Sequence, residues 1–343
     1  MSYQRFNRAD DIIENQRTIV TSGMWSAGST RLTANFFRST TQGATTASFI
    51  ENYQTTATDT DAEVQFAAGY AAKGGSGSIG NTSDTNDGNR ESKAMYSQFL
   101  NLLTAPNTNT IDFTSTGSGT VEDFYFISVQ RARMREKMNA GNWELRISGS
   151  ANNAIKLIDD SSASTGSISE GGRVYNVVSG SIDGTTSIHK EASLETPYGA
   201  PGLFYPDLGL ILLNAKWVGG ANSGSAELSG STQANTFDGT PLKFYNAVSG
   251  GQYFQARREE EISSTSYFCR VNNKRFNFST NPTFFTASDG SLTQTSFFKD
   301  PQTFITQVGL YNEENELLAV AKLSQPLLNS YAREAIIKVK LDF

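Results

Sequence analysis

The side chains that most often carry catalysis are scarce in this 343-residue chain, which has one histidine, His189, and one cysteine, Cys269. A single cysteine closes no intrachain disulfide and builds no cysteine-based zinc cluster. Cys269 alternates with Tyr267 and Val271, the pattern of a small buried apolar residue rather than a nucleophile. His189 lies in the polar stretch TTSIHKEAS, and no GxSxG elbow offers it a serine, so no hydrolytic triad is expected. GSGSIG, with Gly75, Gly77 and Gly80, has the letters of a dinucleotide fingerprint but sits in a flexible tract rather than between a buried strand and a helix. In DTNDGN, counting back from Gly88 puts Asp87, Thr85 and Ser83 at calcium-ligand positions, one carboxylate where such a loop needs several. No metal and no cofactor are therefore expected. Asp159, Asp160, Glu170 and the acids at 259–261 could supply the two carboxylates of a glycan-cleaving enzyme, yet nothing in their spacing brings them together. Arg131, Arg133 and Arg135 in RARMREK read as a solvated face or as a docking patch for an acidic partner.

Composition points the same way. The chain has 28 basic and 34 acidic residues, a net charge of −6 and 18% charged residues, below the roughly 25% usual in soluble domains. Ser, Thr, Asn and Gln fill much of the remainder, which suits strands and turns. The acidic balance leaves no broad footprint for a phosphate backbone, so nucleic acid is not an expected partner. The longest apolar stretch, 208–213, is too short to span a bilayer, so no membrane insertion is expected. The start MSYQRFNRADDII carries no targeting segment, and the chain reads as made in the cytoplasm and left unprocessed.

The elements that must position any surface chemistry are mostly strands. Residues 1–90 hold Phe6, Trp25, Phe36, Phe37, Phe49, Tyr53, Phe66 and Tyr70 without a sustained period, which predicts an extended N-terminal arm ending in a Gly/Ser-rich loop at 73–90. ESKAMYSQFLNLL predicts a helix with Met95, Phe99, Leu102 and Leu103 on one face. VEDFYFISV, NWELRIS, AIKLI and RVYNVV predict short strands, with Trp143, Leu145 and Ile147 facing one way and Glu144 and Arg146 the other. RARMREKMNAG reads as a short helix or turn ended by Gly141. LGLILLNAKWV lacks alternation and predicts a strand buried on both faces. Residues 91–218 thus form a helix plus β-rich core, and 219–240 a linker or loop.

The C-terminal module, 241–343, predicts a short helix with Pro241 near its start and Gly250 past its end. YFCRV-NN-KRFNFS predicts a hairpin turning at Asn272 and Asn273, with Cys269 opposite Phe276, Tyr267 opposite Phe278, and Arg270 opposite Arg275. Like charges so placed call for an acidic partner over that face. A second hairpin turns at 312–316, with Glu313, Glu314 and Glu316 at its polar tip, and AIIKVKLDF alternates as a final strand. The fold class expected is α+β and β-rich, with antiparallel sheets, a few short helices and the extended N-terminal arm.

FITQVGLYNEENELLAVAKLSQP resembles the I-x-x-V-G-L-Y-(D/N)-E-x-x-x-L-L-A-V-A hairpin of tailed-phage fibre-attachment and baseplate proteins. FYFISVQRARMREKMNAGNWELRISG, APGLFYPDLGLILLNA and EAIIKVKLDF together are similar to virion structural proteins of contractile-tailed phages of the type infecting cyanobacteria. The resemblance covers most of 92–343 in blocks. It implies a non-enzymatic structural component of the phage tail, in the baseplate or fibre attachment, made in the host cytoplasm and resident in the virion. Its partners would be other tail or baseplate proteins, or copies of itself. The candidate interaction residues are Glu313, Glu314, Glu316, Arg131, Arg133, Arg135, Arg270 and Arg275. The alternatives are a receptor- or glycan-binding virion protein and, behind it, a glycan-cleaving tail enzyme.

Overall fold

The computed structural model describes residues 4–33, 49–75, 77, 91–113, 120–148, 154–182, 201–219, 240–286 and 289–343. His189, the calcium-like loop and most of the tracts at 73–90 and 219–240 lie outside them. In chain order the elements are α1 (Arg8–Asp11), β1 (Ile12–Gly23), β2 (Arg31–Thr33), β3 (Phe49–Tyr53), β4 (Val64–Ala72), α2 (Glu91–Leu103), β5 (Ile111–Asp112), β6 (Thr120–Val121) and β7 (Asp123–Val129). There follow β8 (Trp143–Ile147), β9 (Ile155–Asp159), β10 (Ser167–Ser169), β11 (Gly172–Ser179), β12 (Gly202–Tyr205), β13 (Leu210–Asn214), α3 (Ala215–Val218) and α4 (Thr240–Gly250). The last are β14 (Tyr253–Val271), β15 (Thr303–Tyr311), β16 (Leu317–Asn329) and β17 (Ala335–Asp342). The protein is strand-rich and α+β, its paired strands antiparallel and its helices few and short. Among the described residues no helix is long and apolar enough to cross a membrane.

Two compact units emerge, Thr21–Glu259 and a smaller one made of Met1–Val20 with Glu260–Phe343. Their limits differ from the composition breaks at 90, 218 and 240. In the larger unit the sheet runs β14-β8-β9-β11-β12-β13-β7-β4-β3, with β14 contributing its residues up to Glu259 and β2 pairing with it. Both faces are covered. On one, Tyr125, Ile127, Ile211, Leu213 and Trp143 pack with Phe244, Ala247 and Val248 of α4; on the other, Phe124, Phe126, Leu210 and Leu212 pack with Tyr96, Phe99 and Leu103 of α2. This is why LGLILL does not alternate: a strand covered on both faces needs apolar residues at every position. Gly69 sits opposite Phe126, whose ring terminus would lie 2.3 Å from an added Cβ, so the bare backbone makes room for the ring.

Several local expectations change. On α2, Tyr96 and not Leu102 joins the buried face, because Phe124 of β7 meets the Tyr96 ring at 5.5 Å while Leu102 stays 47% exposed. NAKWV does not prolong β13: the Asn214 side chain accepts the Lys216 and Trp217 amides and starts the turn α3. RARMREK makes a single 3₁₀ turn, Arg131–Arg133, after which Met134 and Met138 anchor the chain in the core.

The arm expectation is revised by burial. β1 is extended and largely exposed, but Met24, Trp25, Ile50, Phe66 and Tyr70 are core residues of the larger unit. The Trp25 indole N–H donates to the Phe254 carbonyl at 3.1 Å, and its ring lies tilted against that of Phe254, 4.9 Å between centroids. No sequence period announced this because the contacts are non-local, Trp25 with Phe66 and Phe254 and Tyr70 with Tyr125.

The hairpin at Asn272 and Asn273 does not form. β14 pairs instead with β17, placing Cys269 opposite Ile337, Tyr267 opposite Val339 and Arg270 opposite Ile336. Arg270 and Arg275 are therefore not opposed. The chain closes a turn from the Arg275 amide to the Asn272 carbonyl, but Phe276 then takes a left-handed φ of 58°, which breaks the extended run a local partner would need. β17 offers eight regular residues with a clean inner row, and that longer row wins the pairing. Within the smaller unit the strand order is β1-β14-β17, and the β15–β16 hairpin forms as the sequence indicated, with its turn at 312–316. Val271, Leu310, Ile337 and Val339 are the buried centre of this unit, flanked by Tyr267, Val308, Ala321 and Leu341.

Candidate protein-interaction surface

The residues singled out from the sequence fall into three places. Arg131, Arg133 and Arg135 follow β7 in the larger unit, while Arg270, Arg275 and the three glutamates belong to the smaller one. The arginine cluster is not a uniform basic face. Arg133 is largely spent internally: its guanidinium donates to a Glu63 carboxylate oxygen at 2.8 Å and to the Ser26 hydroxyl at 2.7 Å. The Ser26 hydroxyl, then the Arg133 charge, hold the Glu63 carboxyl below its ordinary pKa. Arg131 donates to the Glu136 carbonyl at 2.6 Å, and Arg135 is exposed. Arg270 meets an acid, as its charge demanded, but one supplied by the start of its own chain: its Nε donates to Asp11 Oδ1 at 2.6 Å. The Asn7 amide and that guanidinium lower the Asp11 pKa.

Of the acids considered for hydrolysis, Asp159 and Asp160 have structural tasks. Asp159 is buried and accepts the Gly141 amide at 2.7 Å and the Ser161 amide at 3.0 Å, closing a turn. Asp160 binds the Asn176 amide and side chain, both at 3.0 Å, and burial raises its pKa. Glu144, placed on the polar side of its strand by the alternation, is buried; it accepts the Ile182 amide and the Tyr253 hydroxyl, and burial pushes that phenol up to about 12. Burial also raises the Cys269 thiol, the direction opposite to a nucleophile's need. Among the described residues no three His, Cys, Asp or Glu side chains gather as a metal site requires.

What stands out instead is apolar surface. Apart from Leu102 and Ile168, every large apolar side chain exposed among the described residues belongs to the smaller unit. Phe304, Leu318 and Val320 on the β15–β16 hairpin are 64%, 68% and 55% exposed, and Ile336 on β17 is 66% exposed. On the outer side of the hairpin Val320 faces Gly309, and the side chains of Tyr311 and Leu317 lie close over that glycine. Patches of this kind beyond a few hundred Å² are unusual on proteins that work alone.

The two ends of the hairpin carry opposite charge. At the tip, Asn312 organises the turn: its amide donates to the Glu316 carbonyl at 3.0 Å and its side-chain oxygen accepts the Glu316 amide at 2.7 Å. Asn315 takes the left-handed φ of 63° that asparagine tolerates, leaving Glu313, Glu314 and Glu316 exposed. At the base, Asn329 donates to the Arg275 carbonyl at 2.9 Å, Asn273 to the Tyr331 carbonyl at 3.1 Å, and the Thr303 hydroxyl to the Phe276 carbonyl at 2.8 Å. These bonds gather exposed Lys274, Arg275 and Arg333, beside Glu334, with exposed Phe276 and Tyr331. Lys274 and Arg333 were not singled out from the sequence, because only the non-local β14–β17 pairing brings 272–277 beside 329–334.

No protein-family model, no curated protein and no solved structure matches this chain.

Proposed function

We propose that the chain is a structural subunit of a contractile phage tail, in the baseplate or at a fibre attachment, acting through protein–protein contacts rather than catalysis. The observation that carries this reading is the concentration of exposed apolar side chains on the smaller unit, whose main hydrophobic cluster has four buried members among the described residues, Val271, Leu310, Ile337 and Val339. A unit so built keeps its own fold with few core residues and leaves its outer apolar rows for neighbouring chains. The resemblance of the β15–β16 hairpin to those of tail proteins supports the same reading, as does the assignment of Asp159, Asp160 and Glu144 to backbone-holding roles. Mass spectrometry of purified tails tests it. The chain should be present in a fixed ratio to other tail proteins after a high-salt wash, and its absence from intact particles would overturn the proposal.

A further inference from the structure

We propose that the smaller unit joins a second copy of the chain head to tail, the acidic tip of one β15–β16 hairpin seating on the basic base of the next. This rests on the assembly reading above and names the partner. The tip presents Glu313, Glu314 and Glu316 beside exposed Tyr311, Leu317 and Leu318; the base presents Lys274, Arg275 and Arg333, with Glu334 next to them, beside exposed Phe276 and Tyr331. None of those three acids and three cations forms an ion pair among the described residues.

Distance decides that the two ends do not neutralise each other within one chain. β15 has nine residues, and at about 3.3 Å per residue the tip stands about 30 Å from the base. Charges screened over about 8 Å at physiological salt do not act across such a span. Each end is therefore an uncompensated charge with an apolar rim. Tip against tip or base against base would set like charges together, which excludes a two-fold dimer through either end. Tip against base matches acids to cations and apolar rim to apolar rim. A tip-on-base contact is either returned by the same partner, giving an antiparallel pair, or repeats, closing into a ring or continuing as a filament according to the rotation between copies.

Sedimentation velocity of the full chain at low and high salt, with Glu313→Lys/Glu314→Lys and Lys274→Glu/Arg275→Glu variants, tests the proposal. Glu316 is left in place because its carboxylate accepts the Asn312 side-chain amide at 2.9 Å within the turn. The wild type should associate in a salt-sensitive manner, and each variant alone should weaken association at least about tenfold. An equimolar mixture of the two should recover it, since each then offers the charge the other lacks. Recovery on mixing also shows that both variants are folded. A wild type that stays monomeric at all concentrations, variants that associate like the wild type, or a mixture that does not recover would each overturn the proposal. If both variants still enter tails while association is unaffected, the head-to-tail contact fails and the tail assignment stands. If the reversal pattern holds but the chain is absent from tails, the contact stands and the tail assignment fails.

Discussion

Ile336 and Ile337 are neighbours in sequence and opposites in the fold, and replacing each by alanine tests the strand pairing that replaced the local hairpin. Ile337 is 9% exposed, faces Cys269 and packs with Val271, Leu310 and Val339; Ile336 is 66% exposed and faces Arg270. Truncating a buried isoleucine costs about 2–5 kcal/mol. Truncating an exposed one changes stability by no more than about 0.5 kcal/mol. At about 1.4 kcal/mol per tenfold, the lower figure of about 2 already implies about thirtyfold more frequent opening of the β14–β17 ladder in Ile337→Ala. Amide hydrogen exchange over residues 264–271 and 335–342 reads this directly. Trp25, Trp143 and Trp217 all belong to the larger unit, so tryptophan fluorescence follows that unit separately and should be unchanged. Equal effects at the two positions, or a larger one at Ile336, would refute the register, since a one-residue slip exchanges the faces of the strand.

Gly69→Ala should destabilise the larger unit by about 1–3 kcal/mol in urea unfolding, because the new methyl meets the Phe126 ring. Asn214→Ala removes the cap of α3 and should cost about 1 kcal/mol, seen as an earlier transition in Trp217-sensitive fluorescence. Asp11 has a folded pKa below its ordinary value, so its contribution to stability is present above that ordinary value and is lost as pH falls through the folded one. Arg270→Met removes one of the two causes of that depression, so the Asp11 carboxyl should titrate higher by NMR and the acid limb of the stability profile should move to higher pH; an unchanged Asp11 titration would count against the pairing.

The legible elements share one property: their pattern is set by a single burial environment along their length. AIIKVKLDF buries one face, LGLILL buries both, NWELRIS alternates in residue type although Glu144 on its polar side is buried too, and the 312–316 turn joins two strands adjacent in sequence. β14 was legible only at its end, because RREEE in its middle is exposed or half-buried and carries no alternation to extend the strand. The Asn272 and Asn273 turn is chemically sound as a turn, and a turn does form there; what failed was the inference that it joins paired strands. That decision belonged to β17, more than sixty residues on. The same non-local pairing hid half of the candidate surface. The acidic tip is three glutamates within four positions and could be read directly, whereas the basic base is assembled from two separate segments.

A density map of the intact tail tests the central claim most directly. This chain should be found there in repeated copies, with the outer face of β15–β16 and both ends of that hairpin covered by protein. A map in which the chain is present but Leu318, Val320, Ile336 and the 312–316 tip all face open solvent would contradict it.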